Sequence, residues 1–214
     1  MNHIEKIRTD GISYMEILPG SQWYWGSDYT SGDLFEAYDL YRCGYPVEKD
    51  RLIFVHRETR EVWEPVPEEK GRYFGRPAFI DGKIVILHVH FPNQKIVLES
   101  CDEITKEKDT LAELPLSCVP DCYNLMPSVS PVCITRQAFD NHFQIVWPEQ
   151  TVFEIAPAES FCFRDGDLLY FSHWYEDPDY REEVVVRRVS DGTILEQYPG
   201  SIQIMPEGQR WILN

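Results

Sequence analysis

The chain is short of positive charge: 20 Lys and Arg stand against 36 Asp and Glu, a formal net charge of −16 over 214 residues. Binding to a nucleic-acid backbone relies on clustered basic side chains, as does adhesion to an anionic membrane surface. Neither nucleic acid nor membrane is therefore expected as a partner. Long apolar runs are missing too. No stretch approaches the length of a membrane-spanning helix, and Met1 to Gly20 lacks the apolar core of a signal peptide. The six cysteines, Cys43, Cys101, Cys118, Cys122, Cys133 and Cys162, follow no framework spacing of a small secreted domain. Free thiols and a cytoplasmic location are the expectation that follows.

Catalytic and cofactor signatures are equally sparse. The chain has no Gly-x-Ser-x-Gly elbow, no phosphate-cradling glycine loop and no His-Glu-x-x-His pattern. No cofactor is expected. His88-Val89-His90 sets two imidazoles on one face of a strand, but zinc takes three or four ligands, so no metal is expected either. Cys118 and Cys122 are one residue too far apart for the usual two-residue cysteine knuckle. Glycoside hydrolysis needs two carboxyl groups about 5–10 Å apart. Asp39, Glu159, Asp165 and Glu176 are candidates, but in so acidic a chain they single out no site. The reading leans toward a ligand- or protein-binding module rather than an enzyme, with a carbohydrate-active protein (lectin-like binder or glycoside hydrolase) as the alternative.

Helix signals are few. Ser100-Cys101-Asp102-Glu103 has the spacing of a capping box, yet Ile104 is the one apolar residue before Leu111. With no apolar face to bury, residues 105–109 read as a solvated loop, and no helix is expected.

Strand signals abound. An apolar share of 43% and an aromatic share of 14% suffice for a core built of strand-favouring residues. The two ends of the chain also echo each other. Ile4 to Thr9, Asp10-Gly11 and Pro19-Gly20 match Val184 to Val189, Asp191-Gly192 and Pro199-Gly200, each a strand, a turn, a strand and a break. Related hairpins begin at Leu52, Lys95 and Phe143, giving starts about 40–50 residues apart. A second set of turns and strands intervenes at Ser31-Gly32-Asp33-Leu34-Phe35, Asp81-Gly82, Asp165-Gly166 and Glu207-Gly208.

This repeat resembles the β-propeller superfamily across nearly the whole chain, at the level of architecture. It lacks the Gly-His and Trp-Asp signatures of WD repeats and the paired glycines of kelch repeats, so no family's functional residues carry over. The resemblance implies an all-β fold, a five-bladed β-propeller in a single domain, 1–214. The blades fall at about 22–66, 76–114, 123–155 and 159–198, with a composite of 201–214 and 2–18 closing the ring through strands from both termini. A β-sandwich or open barrel would use the same short strands.

Propellers usually bind at the end of the ring where the innermost strands begin. The resemblance places Gln22, Trp23, Arg76, His90, Asn124 and Trp174 there as ligand-binding residues. The expected partner is a protein or a small neutral or cationic ligand, carbohydrate included. Trp23-Tyr24-Trp25 with Asp28 and Tyr29 sets rings beside acids, which suits stacking on a sugar or holding a cation. Alternate rings of the same cluster equally suit packing between blades.

Overall fold

The computed structural model describes residues 4–28, 33–46 and 48–214. The first sheet is β1 (Glu16–Ile17), β2 (Trp23–Ser27), β3 (Leu52–His56) and β4 (Val62–Trp63), with helix α1 (Leu34–Arg42) inserted between β2 and β3. The second has β5 (Arg72–Phe74), β6 (Ala78–Ile80), β7 (Lys83–His90), β8 (Lys95–Asp102) and β9 (Lys108–Pro115). There β5 and β6 lie end to end along β7, one inner strand interrupted at 75–77. The third is β10 (Met126–Ser128), β11 (Cys133–Gln137), β12 (His142–Trp147) and β13 (Thr151–Glu154). The fourth is β14 (Glu159–Asp165), β15 (Leu168–Tyr175), β16 (Arg181–Arg188) and β17 (Ile194–Pro199). Last comes a two-stranded sheet, β18 (Ser201–Ile204) and β19 (Arg210–Leu213). Every pairing is antiparallel and each sheet follows chain order from its inner strand outward. This is an all-β propeller.

The blade count is four, not five. The expected composite blade needed residues 2–18 to pair with the C-terminal strands, but β18 and β19 pair only with each other among the described residues. The N-terminal segment is engaged elsewhere. Glu5 is ion-paired with Arg60 beside β4, and Ile12 is buried against Gly26 of β2. The Asp10-Gly11 turn does form, with φ of +49° and +102°, but no strand flanks it. Asn2, His3, Tyr29, Ser31 and Gly32 lie outside the described residues.

A second correction is α1. Asp33 accepts from the backbone N–H groups of Phe35 (2.9 Å) and Glu36 (3.1 Å), while the Glu36 carboxylate accepts the Asp33 N–H (2.9 Å). That capping box precedes apolar residues at 34, 37, 38 and 41, a helical rather than a strand period. Leu34 and Ala37 are buried with Tyr73, Phe91 and Val119, and the Tyr41 ring stacks on Phe91 at 5.2 Å. The helix thus covers the junction of the second and third blades.

Apolar seams join the blades. Phe143 of the third blade meets Phe161 and Phe171 of the fourth at ring separations of 4.8 and 5.1 Å. Polar clips fasten each seam. Asp50, beside β3, accepts the Phe74 N–H of the second blade at 2.8 Å. Asp121 holds the buried Arg136 of β11 with two bonds of 3.0 and 2.8 Å. Glu149 of the third blade binds Arg164 of the fourth at 2.7 Å. Arg210 of the hairpin donates to the Arg164 carbonyl at 3.3 Å, and the Gly20 N–H donates to the Pro206 carbonyl at 2.9 Å.

Two stability tests follow. A Cβ at position 26 would lie 2.5 Å from the Tyr14 carbonyl oxygen and 2.7 Å from Met15 Sδ. Gly26→Ala should therefore cost about 1–3 kcal/mol in urea unfolding by displacing the N-terminal segment; an unchanged midpoint would contradict this packing. The Arg164 guanidinium holds the Glu149 carboxyl below its ordinary value of 4.5. A depressed acid contributes its stabilisation above the unfolded value and loses it as pH falls through the folded one. Glu149→Gln should lower neutral-pH stability and flatten the acid limb of the stability–pH curve below about pH 4.5. An acid limb of unchanged slope would show that the pair does not matter.

Candidate functional site

All four inner strands and the terminal hairpin converge on a central channel. A cavity of about 610 Å³ inside it is lined by Ile17 of β1, Ala78 of β6, Ser128 of β10, Phe163 of β14 and Arg210 of β19, among others. At one end this space meets a second cavity of about 570 Å³, the two sharing Glu16, Trp25 and Arg76. The second cavity forms the mouth. Its walls are the start of β1, the end of β2, the break between β5 and β6, and the approach to β10, with Asp33 and Leu34 of α1 at its rim.

The residues at the mouth divide into an apolar wall and a polar arc. Leu52, Phe74, Leu125 and Met126 give the wall. In the arc, the Arg76 guanidinium pairs with Glu16 and sits 5.9 Å from the centroid of the Trp25 ring. Arg76 is largely exposed, so this pair is open to exchange with solvent or a ligand. Asn124 presents an exposed amide from a left-handed turn position with φ of +45°. Asp50 is only 1% exposed and accepts from the Phe74 N–H and the Ser27 hydroxyl. Three acidic residues (Glu16, Asp33 and Asp50) and one basic residue (Arg76) line the mouth, so its formal charge is net negative. Cys122 supplies no nucleophile. Burial, reinforced by the Asp121 charge, pushes its thiol up to about 12.

Of the residues expected at the mouth, Arg76 and Asn124 line this cavity. Gln22, Trp23, His90 and Trp174 do not line it. Trp23 is 2% exposed; its indole N–H donates to Glu103 at 3.0 Å and its face receives the Lys106 ammonium at 4.5 Å. Gln22 is exposed just before β2 and its carbonyl accepts the Arg57 N–H at 2.8 Å. His90 is buried at the end of β7, with Glu69 3.3 Å from Nε2 and the Asn93 N–H donating to Nδ1 at 3.1 Å. Trp174 is exposed on β15, opposite Glu182.

The physical reason lies in the first blade. Its innermost strand is the two-residue β1, so Gln22 and Trp23 start the second strand, whose other end reaches the mouth at Trp25. Trp25 lines the cavity and belongs to the Trp23-Tyr24-Trp25 cluster singled out in the sequence, although it is absent from the six residues expected at the mouth. Glu16 and Asp50 went unrecognised, and nothing local marks Asp50. The carboxylate candidates Asp39, Glu159, Asp165 and Glu176 are not at this cavity. Glu159 is buried in a two-bond pair with Arg187 at 2.8 and 2.7 Å, and the other three are exposed. Among the described residues no three His, Cys, Asp or Glu side chains group as metal ligands.

Asp50→Ala removes the acceptor of the Phe74 N–H at the first seam. The expected cost is about 1–3 kcal/mol, with faster hydrogen exchange at the Phe74 amide. Unaltered exchange at that amide would refute the role given to Asp50.

No protein-family model matches the chain, and no curated protein matches its sequence. Similar solved structures include the β-propeller domain of the Trilobed protease from Pyrococcus furiosus, which has an open velcro topology, at a TM-score of 0.47 and 8% identity over 91% of this chain and 60% of that one. The acylaminoacyl peptidase of Pyrococcus horikoshii aligns at a TM-score of 0.44 and 12% identity, over 86% of this chain and 31% of that one. TolB from Acinetobacter baumannii aligns at a TM-score of 0.40 and 13% identity, over 71% and 38%. The chain thus spans 60% or less of the length of each. Its own strand pairing identifies it as a β-propeller.

Proposed function

We propose that the chain is a small-ligand-binding module whose ligand sits at the channel mouth between Trp25, Arg76 and Asn124. The observation that carries this reading is the cavity of about 570 Å³, where an aromatic face, an exposed ion pair and a free amide converge above an apolar wall. Ligand sites are commonly clefts of this size with a few placed polar groups. The net negative rim favours a neutral or cationic molecule, with carbohydrates and amines the leading classes. Hydrolysis is not part of the proposal, since the carboxylates at the mouth are engaged with Arg76, the α1 N-terminus, and the Ser27 hydroxyl and Phe74 amide. The six free cysteines are consistent with a reducing, cytoplasmic setting, and no helix among the described residues is long and apolar enough to cross a membrane.

A panel of mono- and oligosaccharides and primary amines, screened by titration calorimetry, tests the proposal. At least one member should bind, and Arg76→Ala or Asn124→Ala should weaken it about 10- to 100-fold while leaving the unfolding curve intact. Trp174→Ala should leave affinity unchanged. Failure of the whole panel, or affinity that ignores both cavity variants, would sink this reading.

A further inference from the structure

The β8–β9 turn of the second blade closes over two indole rings of the first. Lys106 Nζ lies 4.1 Å from the centroid of the Trp63 ring and 4.5 Å from that of Trp23, with Glu61 Oε1 at 3.1 Å. The two rings are tilted by 53° with 5.6 Å between centroids, so they form the walls of a corner rather than a stack. Contacts other than Lys106 hold these walls. Glu103 accepts the Trp23 indole N–H at 3.0 Å, His56 meets Trp23 in a T-shaped contact at 4.9 Å, and Trp63 packs on the Phe54 ring at 6.3 Å. A cation set between tryptophan faces and a carboxylate occupies an aromatic cage.

Lysine is a poor chemical match for this cage. Its ammonium carries three N–H donors and is strongly hydrated in water. Here Nζ is closed to solvent, and among the described residues none of its donors makes a hydrogen bond of good geometry; Glu61 supplies charge but not an aligned acceptor. Donors buried in this way cost free energy. A quaternary ammonium has no donor to leave unmet and keeps the attraction to the rings.

Nor does the turn need the Lys106 side chain. The Asp102 carboxylate accepts the Ile104 and Thr105 N–H groups at 2.9 and 2.8 Å, and its carbonyl accepts the Lys106 N–H at 3.1 Å. Lys106 sits at φ of +62°, a left-handed position that turn chemistry usually gives to Gly or Asn. Thr105 and Glu107 on either side are exposed, so the Lys106 side chain can swing out without unpacking the core.

We propose that the Trp23–Trp63 corner, with Glu61, is a binding site for a quaternary ammonium group, plugged by Lys106 when no ligand is bound. Free choline-type cations and the trimethylated lysine side chains of other proteins share this head group. Because Lys106 is tethered, it competes at high effective concentration; the native chain binds weakly, and withdrawing Lys106 opens the site. The site is separate from the channel mouth, since neither Trp23 nor Trp63 lines either channel cavity.

Choline chloride titrated into the 214-residue chain carrying Lys106→Ala tests this, with the indole N–H signals of Trp23, Trp25 and Trp63 followed by NMR against sodium chloride at matched ionic strength. The Trp23 and Trp63 signals should shift with a Kd of about 1–10 mM, and the wild-type chain should bind at least about tenfold more weakly. The neutral isostere of choline, in which carbon replaces nitrogen, should move neither signal. In the Lys106→Ala background, Trp63→Leu should abolish binding and Glu61→Gln should weaken it about threefold or more. The Glu61 variant, at a half-exposed side chain, stands even where Trp63→Leu harms folding. A trimethyllysine peptide that binds more tightly than both choline and its unmethylated form supports the site with a protein as its ligand; choline binding as tightly as the peptide supports it with a free cation. No shift in Lys106→Ala, an equal response to the neutral isostere, or a shift at Trp25 in place of Trp23 and Trp63 overturns the proposal.

Discussion

A propeller blade has two faces and too few strands to cover either, so the seams between blades carry this structure. Each seam is an apolar interface with a polar clip at its margin. The clips share a pattern: a buried group on one blade is satisfied by the preceding blade or by the connection leading into its own blade. Arg136 is held by Asp121, Arg164 by Glu149 and the Phe74 amide by Asp50. Replacing such a pair with apolar groups can be neutral, but removing one partner strands a desolvated amide at about 1–3 kcal/mol or a desolvated charge at about 3–5 kcal/mol. The clips therefore act mainly on register. Apolar faces can slide; a two-bond guanidinium–carboxylate contact cannot.

The same logic produces the channel mouth. Asp50 accepts the Phe74 N–H where the inner strand of the second blade breaks; Gly75 still donates to the Leu87 carbonyl at 2.8 Å, and Pro77 has no N–H to continue the pairing. Arg76 projects from this gap over Trp25 and toward Glu16, while α1, capped by Asp33, covers the neighbouring junction through Tyr41 and Phe91. A seam clip, a strand interruption and a capped helix thus combine to make a cleft whose polar groups point inward. Its exposed ion pair is the weakest bond in the arrangement, which suits a position where a ligand must compete.

The propeller architecture was readable because its turns have local chemistry. Asp81-Gly82 adopts left-handed angles at both residues, and Asp191-Gly192 closes the β16–β17 hairpin. What escaped depended on distant partners. A strand of two residues, β1, has no periodicity to detect. Asp33-Leu34-Phe35 read as a turn and strand, although the Asp33–Glu36 box and the spacing of Leu34, Ala37, Tyr38 and Tyr41 were there to see. The Asp10-Gly11 echo was real as a turn and misleading as a hairpin, because tertiary contacts at Arg60 and Gly26 took the flanking residues. Of residues 105–109, expected to be a solvated loop, 105–107 lie in the β8–β9 connection while Lys108 and Asp109 already belong to β9, and Lys106 lies 4.1 and 4.5 Å from the Trp63 and Trp23 rings.

The terminal hairpin shows what happens where the seam principle stops short. A two-stranded sheet is marginal alone, and this one is held by the Arg210 guanidinium on the fourth blade and the Gly20–Pro206 hydrogen bond on the first. Position 208 makes that last contact possible. A Cβ there would come within 3.1 Å of the Gly20 Cα, and its φ of +87° favours glycine independently. The hairpin also walls the channel through Ile204 and Arg210. This two-stranded sector of the channel is fastened by polar contacts at both neighbours, and any force that orders the hairpin also stiffens the cavity it lines.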